Sequence, residues 1–490
     1  MPFEVRRSFL VVGAFILVYV TSWIVITSLL NSAVPYDALE ALNWAYTGEF
    51  GSPKNPYFVG WVMSLGLLME PIVPISVYWY ASHFIGVGTG MLGVWLLGKR
   101  LFGDNQVAIL SLLSLNASGI INFDIIPYND NYLLVTMWPY VFLFFIKAVY
   151  DNSYYWYPLA LVCGLAAMSK YSSCVFLPSM FACTLLVPRA RKAYQSATIY
   201  LAILLLPLIA LPNVVWLSKH DFAAFNWVES QLTIGLNTSL PVIFLAVFYP
   251  VVLLAMILRR LGARWSSPDT PEKRLILQVF LPPLVFVLGY LLVHRGGNMT
   301  EWLQPFVVLG SVVLFCVTDF KQIQSLQSML RFYTGLSFIV LMGYALVLIM
   351  NLGGASAKNN FVKKTSVDIN AIWRERYDRP LKYVGGSRFS HWLTFYAPDR
   401  PRVVTPWSNE RKPNIYNASI TGDDVRRDGA LLISDPGAPF DEDTLALDLS
   451  TVPGTKVSEH QEFSFQNERG KTVTVILGFL PPQESFNLDQ

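Results

Sequence analysis

The chain has 490 residues, of which 53% are hydrophobic and 14% are charged, and its mean hydropathy is +0.44. These values exclude an ordinary soluble domain and predict a polytopic α-helical membrane protein. The net charge of +3 is spread over loops and indicates no nucleic-acid partner.

Apolar segments of spanning length follow one another along the chain. The first, residues 9–30, has no small-residue cleavage site and is expected to remain as a helix rather than to act as a secretory signal. Ten more are expected at 75–98, 105–123, 131–150, 156–169, 172–188, 196–217, 240–258, 275–293, 303–318 and 332–351. Proline and glycine blur several boundaries, so the number of spans is open by about one or two.

Basic clusters after alternate spans predict the topology. Because Lys and Arg are enriched in cytoplasmic loops, the side that carries them is expected to be cytoplasmic, together with the N-terminus. The opposite side then receives residues 31–74 and the chain after residue 354. The clusters are Arg6-Arg7, Lys99-Arg100, Arg189-Arg191-Lys192, Arg259-Arg260-Arg264 with Lys273-Arg274, and Lys321-Arg331.

The first outer loop, residues 31–74, is the strongest candidate for chemistry. Asp37, Glu40 and Trp44 have helical spacing and would share one face of a helix that ends at Gly48. A turn containing Lys54 then leads into an apolar run suited to the membrane interface. Carboxylates and a lysine beside the bilayer indicate acid and base chemistry on a lipid-borne substrate. An interfacial anchor rich in Trp and Tyr would have the same composition, so both interpretations stay open.

Three further features are expected on the same side of the membrane. Asn129, Asp130 and Asn131 would bind sugar hydroxyls or cap the helix that follows. Lys170 stands without an evident partner between two apolar segments and would hold an anion or reach towards lipid headgroups. Arg295 would contribute to a phosphate pocket, with ordinary surface charge as the alternative.

Beyond residue 353 the chain becomes charged and proline-rich, which predicts a small soluble α/β domain over residues 354–490. The runs RPRVV, GALLISD and KTVTVILGFL are expected to be strands, and RFSHWLTFY is expected to be a helix. His391, Trp392 and Tyr396 would form a sugar-stacking face or, as we favour, pack in the domain core.

The order of these motifs resembles that of the bacterial polyprenyl-phosphate-sugar glycosyltransferases of the GT-C superfamily. The nearest branch is the protein O-mannosyltransferase-like family, and the aminoarabinose transferase of lipid A is a more distant relative. The resemblance implies a GT-C fold of about eleven transmembrane helices over residues 1–353, followed by the α/β domain. It covers residues 9–320 and rests on the carboxylate loop followed by KNPYFVGW, YNDNYLLVTMWPY, GLAAMSKYS, PNVVWLSKHDFAAF and EWLQPF.

The resemblance also implies roles for single residues. Asp37 would be the general base, and Glu40 would be the second acid of the family's D-x-x-E motif. Lys54 keeps the lysine of the K-H-P-P motif, although Asn55 and Tyr57 replace its histidine and second proline. The implied donor-phosphate residues are Lys54, Lys170 and Arg295, and the implied substrate-binding residues are Trp44, Asn129, Asn131, Tyr171 and Trp302. Glu301 departs from the pattern, because relatives often have a basic residue there.

The implied reaction is an inverting transfer of a monosaccharide from undecaprenyl phosphate at the periplasmic face of the bacterial inner membrane. The acceptor would be lipopolysaccharide or its O-antigen, then lipid A, then a protein hydroxyl, in that order of preference. No obligatory metal cofactor is expected, because side-chain cations can neutralise a monophosphate; a metal-assisted version through Asp37 and Glu40 stays open. The alternatives are a transporter or flippase for a lipid-linked sugar and an inactive scaffold that binds one.

Overall fold

The computed structural model describes residues 3–127, 130–296, 299–320, 323, 326–352, 361–404, 419–435, 457, 459–466 and 471–483. The chain forms two compact units. The helical unit comprises Met1–Val25, Phe50–Val59 and Tyr80–Tyr344, and the mixed unit comprises Ile26–Glu49, Gly60–Trp79 and Ala345–Gln490.

Helices dominate the described part of the chain. In chain order they are α1 (Phe3–Leu30), α2 (Tyr36–Thr47), α3 (Phe58–Met69), α4 (Ile75–Phe102), α5 (Asn105–Leu113), α6 (Asn131–Tyr150), α7 (Trp156–Ala167), α8 (Ser173–Thr184), α9 (Pro188–Ala193), α10 (Ala197–Ile203), α11 (Leu205–Lys219), α12 (Ala223–Gln231), α13 (Leu240–Arg260), α14 (Pro271–Leu292), α15 (Met299–Cys316), α16 (Leu326–Ile349), α17 (Phe361–Tyr377), α18 (His391–Tyr396) and α19 (Gly422–Asp428).

The predicted class, a polytopic helical membrane protein with a small C-terminal α/β part, is confirmed. Within the described residues, seven helices are long and apolar enough to cross a membrane. Helices α3, α8 and α15 are apolar but shorter, and the expected number of eleven spans is not confirmed. The seven are Arg7–Leu30, Ile75–Phe102, Asn131–Tyr150, Ala197–Lys219, Leu240–Arg260, Pro271–Leu292 and Leu326–Ile349.

Residues 105–123 do not form the single long helix that was predicted. Helix α5 ends at Leu113, and two 3₁₀ turns, Ser114–Ala117 and Gly119–Ile121, follow it. The side-chain amide of Asn122 donates to the carbonyls of residues 116 and 118, at 3.1 and 2.6 Å. Polar side chains therefore satisfy the backbone groups that a continuing helix would have used, which favours the break.

Close packing in the helical unit depends on small residues. A Cβ atom on Gly90 of α4 would lie 2.3 Å from the carbonyl oxygen of Val135 on α6. Only glycine permits this approach of two backbones, as is common between membrane helices. Helix α6 is consequently buried along most of its length.

The helical unit also contains two short antiparallel pairs of strands. Strand β1 (Thr233–Ile234) pairs with β3 (His294–Arg295), and β2 (Arg264–Trp265) pairs with β4 (Thr318–Asp319). Each pair joins the ends of helices, because every one of these strands directly precedes or follows a helix.

The mixed unit contains a five-stranded sheet. Its order is β6-β5-β7-β9-β8; β5 is parallel to both neighbours, whereas β9 is antiparallel to β7 and β8. The predicted strands and the predicted helix are all present. The strands are β5 (Tyr383–Gly386), β6 (Arg402–Val403), β7 (Ala430–Ile433), β8 (Glu459–Gln466) and β9 (Thr472–Leu480).

Candidate active site

Helix α2 carries the predicted carboxylates in the mixed unit. It begins after Pro35, whose extended backbone precedes the first turn, and it ends at Gly48, which is left-handed with φ 65°. Asp37 lies in the first turn and is partly exposed. A carboxylate at this end of a helix is favoured by the helix dipole. Glu40, one turn later, is buried.

Trp44 lies on the same helix but in the interior of the mixed unit. Its side chain is 2% exposed, and its indole N–H donates to the carbonyl of Glu49 at 2.9 Å. A Cβ atom on Gly60 would lie only 3.1 Å from the indole ring. Trp44 therefore packs against backbone on α3 in this conformation and does not present its ring to a ligand.

Helix α18 fixes the start of α2. The hydroxyl of Tyr36 lies 2.6 Å from Nδ1 of His391, and the backbone N–H of Val34 donates to the hydroxyl of Tyr396 at 2.7 Å. The ring of Trp392 lies 5.7 Å from that of Tyr36. Burial, with a smaller contribution from Arg388, lowers the pKa of His391 to about 3. These contacts support core packing for His391, Trp392 and Tyr396.

The turn that carries Lys54 is a tight hairpin in the helical unit. Gly51 pairs with Pro56, and the Ser52 hydroxyl donates to the carbonyl of Asn55 at 2.8 Å and accepts from its N–H at 2.7 Å. Lys54 lies at the tip and is half-buried. The turn is rigid because its backbone and hydroxyl groups are mutually hydrogen-bonded.

Two residues of α11 support this hairpin. The side-chain amide of Asn213 donates to the carbonyl of Phe50 at 2.8 Å and to the hydroxyl of Tyr171 at 3.1 Å. Trp216 packs so closely against Gly51 that a Cβ atom there would lie 2.4 Å from the indole. Asn213 was not among the predicted site residues, although an amide within an apolar span is a recognisable signal of a specific contact.

Lys170 is the centre of a charged cluster in the helical unit. Its Nζ lies 2.9 Å from the carboxylate of Asp130, 3.3 Å from that of Glu301, and 2.7 Å from Oδ1 of Asn131. An ammonium group has three N–H donors, and three acceptors surround it here. The expectation that Lys170 lacks a partner is therefore wrong, because residues distant in sequence supply two carboxylates.

The side-chain amine of Lys170 stays protonated despite its burial. Burial alone would lower the pKa of the amine, but Asp130 and Glu301 outweigh it, and the net pKa is raised. With one amine and two carboxyl groups, the cluster has a formal charge of minus one.

The neighbours of Lys170 are themselves held by the protein. Asn131 donates through Nδ2 to Oε1 of Gln304 at 2.6 Å, so both ends of its amide are engaged. Asp130 occupies the residue before α6, but its side chain makes no capping hydrogen bond to that helix. The predicted cap is therefore replaced by the ion pair with Lys170. Gln304, which was not among the predicted site residues, completes the network.

The remaining predicted residues lie elsewhere in the helical unit. Arg295 is exposed on β3, and its Nε donates to the carbonyl of Leu236 at 2.5 Å. Trp302 stacks on Tyr290, with ring centroids 5.8 Å apart and planes 7° apart. Burial raises the pKa of Tyr171, whose hydroxyl already accepts from Asn213. Asn129 lies outside the described residues.

The structure thus groups the predicted residues in two sets. Asp37, Glu40 and Trp44 belong to the mixed unit, whereas the predicted lysines and arginine belong to the helical unit. Over the described part of the chain, no group of three or more His, Cys, Asp or Glu side chains has an arrangement that could hold a metal ion.

Comparison with known proteins finds one matching family and similar solved structures. The family described as dolichyl-phosphate-mannose-protein mannosyltransferase matches residues 54–216. The crystal structure of ArnT from Cupriavidus metallidurans bound to undecaprenyl phosphate is similar over 96% of this chain and 98% of that chain, with a TM-score of 0.62 and 12% identity. Its apo state gives a TM-score of 0.60 at 13% identity, over 95% and 97% of the two chains. No curated protein sequence matches significantly.

These findings confirm the resemblance that the motifs indicated. The chain is a multi-pass membrane protein with the fold of the GT-C glycosyltransferases. The family match begins at Lys54 and includes Asn131 and Lys170, which are among the residues that carried the resemblance.

Proposed function

We propose that the protein is an inverting glycosyltransferase that moves a monosaccharide from undecaprenyl phosphate to a hydroxyl group of a cell-envelope acceptor. The observation that carries this proposal is the similarity, over nearly the whole chain, to an ArnT structure that holds undecaprenyl phosphate. The family match to mannosyltransferases that use a polyprenyl-type phosphate donor supports the same class of reaction.

In the proposed mechanism Asp37 is the general base. It accepts the proton of the acceptor hydroxyl while that oxygen attacks the anomeric carbon, and the bond from this carbon to the phosphate oxygen breaks. One displacement of this kind inverts the anomeric configuration. The position of Asp37 in the first turn of α2, whose start is bonded to His391 and Tyr396, supports this role because a base must be held in place. Glu40 would be the second acid.

The leaving group is undecaprenyl phosphate, whose negative charge must be neutralised. Lys54, at the tip of a rigid hairpin, and Arg295, which is exposed, are the proposed cations. Direct binding of phosphate by Lys170 would require this side chain to give up one of its three present acceptors. We therefore assign Lys170 chiefly to holding Asn131, which is proposed to bind substrate together with Asn129, Tyr171 and Trp302.

The proposed location is the bacterial inner membrane, with the α2 loop and the C-terminal domain on the periplasmic side. Lipopolysaccharide or its O-antigen is the first candidate acceptor, followed by lipid A and by a protein hydroxyl. This order rests on the resemblance alone.

The test is transfer of labelled sugar from undecaprenyl-phosphate donors by membranes that contain the full-length protein, with cell-envelope extract as acceptor. We expect Asp37→Asn to lower transfer by about two to four orders of magnitude, as for loss of a general base, while donor binding persists. Asp378→Asn is the matched control, because Asp378 is exposed with φ 50°, where asparagine is equally well tolerated.

The outcomes separate the alternatives at matched expression. Equal transfer by wild type and Asp37→Asn would show that Asp37 is not the base. If neither protein transfers sugar although both bind the donor, the transporter and the scaffold become the better explanations.

A further inference from the structure

A cavity of about 340 Å³ lies within the helical unit. Its walls include Ser118 and Gly119 at the second 3₁₀ turn, and Phe123 and Asp124 in the loop between this turn and α6. Tyr249 on α13 and Gln304 on α15 also line it. The volume is near the lower end of the range for small-molecule sites, about 300–1,000 Å³. At about 30 Å³ for each water molecule in the liquid, it corresponds to about eleven waters, which suits one sugar ring and not an isoprenoid chain.

Asp124 gives this cavity its chemical character. Its carboxylate lies against Gly119, where an added Cβ atom would be 2.2 Å from Oδ2. Among the residues that the structure describes, no side chain donates a hydrogen bond to this carboxylate. Partial burial raises its pKa. This carboxylate is exposed at the cavity wall. Because no described side chain donates to it, it is suited to a ligand that brings donors of its own.

The other lining groups narrow the class of ligand. None of the described residues that line the cavity is Lys, Arg or His, so the cavity does not suit a phosphate. Gln304 has its Oε1 engaged by Asn131, which leaves its NH₂ group as a donor. Phe123 is 44% exposed and offers an aromatic face. A carboxylate acceptor, an amide donor and an aromatic face are the groups that bind a sugar ring.

We propose that this cavity is a subsite for one sugar ring of a substrate, with Asp124 accepting hydrogen bonds from ring hydroxyls, Gln304 donating one and Phe123 covering a face of the ring. The identity of the sugar-bearing molecule rests on the proposed function: it is either the lipid-linked donor or the acceptor glycan. The contact from Gln304 through Asn131 to Lys170 joins the cavity wall to the charged cluster by hydrogen bonds of 2.6 and 2.7 Å.

Cysteine protection tests occupancy directly. Pro127→Cys is introduced into a Cys174→Ser background; Pro127 is exposed and lines the cavity but has no assigned contact with the sugar. Cys174 is removed because it is the exposed native cysteine among those that the structure describes. We expect a saturating sugar-bearing substrate to slow maleimide labelling of the new cysteine about tenfold, whereas undecaprenyl phosphate without sugar has no effect. Tyr154→Cys in the same background is the control, because Tyr154 is exposed on a turn away from the cavity lining.

Kinetics then identify which substrate brings the sugar. Asp124→Asn is expected to raise KM about tenfold for either the donor or the acceptor, with kcat changed less than twofold. Protection of Pro127→Cys should be lost when Asp124→Asn is combined with it. Gly119→Ala should have the same effect, because its methyl group displaces the carboxylate. Unfolding temperatures within a few degrees of wild type will show that these variants fold.

Several results would overturn the proposal. Protection by undecaprenyl phosphate alone would make the cavity a lipid site, and an unchanged KM in Asp124→Asn would remove the carboxylate from recognition. Transfer without any protection at Pro127→Cys would reject the subsite and leave the proposed function intact. Protection by a lipid-linked sugar in a protein that transfers none would support the subsite and reject the proposed function.

Discussion

Replacement of Lys170 by methionine should destabilise the helical unit strongly. Methionine keeps the approximate length of the side chain but removes the three N–H donors that Asp130, Glu301 and Asn131 now share. The ion pairs that Lys170 makes with the two carboxylates would both be lost. The side chains of Lys170, Asp130 and Glu301 are only 12%, 4% and 13% exposed, so water can replace little of the lost interaction.

The expected magnitude follows from this burial. Breaking a buried ion pair by removing one partner costs about 3–5 kcal/mol, chiefly because the remaining charge is left uncompensated. Because Lys170 and Glu301 keep some solvent contact, we expect about 3 kcal/mol for Lys170→Met. Glu301→Gln should change the free energy of unfolding by less than about 1 kcal/mol, since Lys170 and Asp130 remain paired. Adding Asp130→Asn to Lys170→Met should recover part of the loss.

The assay is a double-mutant cycle on Lys170 and Asp130, in which tryptophan fluorescence monitors unfolding in detergent at pH 7. Lys147→Met is the matched control, because the side-chain amine of Lys147 on α6 contacts only the hydroxyl and the ring of Tyr155 among the contacts that the structure describes. Its replacement should cost less than about 1 kcal/mol. Equal stability of Lys170→Met and Lys147→Met would contradict a stabilising role for the ion pairs of Lys170. So would additivity of the two changes of the cycle within about 0.5 kcal/mol.

Three further predictions concern the mixed unit. Tyr396→Phe should lower the free energy of unfolding by about 1 kcal/mol and reduce transfer activity, because the N–H of Val34 before α2 loses its acceptor. Activity equal to wild type would show that this hydrogen bond does not position helix α2. The pKa of His391 is about 3 in the folded protein, below the ordinary value of 6.5, so between these pH values the unfolded chain binds a proton that the folded protein does not. The free energy of unfolding should therefore decrease as pH falls from about 6.5 towards 3, by about 1.4 kcal/mol for each unit by which the pKa is lowered. His391→Gln should flatten this dependence in thermal unfolding measured at several pH values. Gly60→Val should lower the unfolding temperature by several degrees, because Gly60 lies against the Trp44 ring. Gly48→Asn should lower it only slightly, because Gly48 faces open space in a left-handed conformation that asparagine tolerates. Equal losses in the two variants would contradict the packing of Gly60 against Trp44.

Local patterns in the sequence were sufficient for the class of protein and for several elements. Apolar length and composition predicted a membrane protein, and the three-residue and four-residue spacing of Asp37, Glu40 and Trp44 predicted helix α2. Alternating patterns beyond residue 353 predicted strands that the structure confirms, such as β7 and β9. These predictions succeed because periodicity and composition are properties of neighbouring residues.

Tertiary structure alone decided how the polar groups are paired. Glu301 reaches Lys170 across 131 positions of sequence, and His391 reaches Tyr36 across 355. The same is true of the cavity around Asp124, whose walls come from the turns before α6 and from α13 and α15. Whether a lysine is paired, a tryptophan buried or a carboxylate left without a donor depends on which distant segments pack against it, and the spacing of residues along one segment carries no information about that choice.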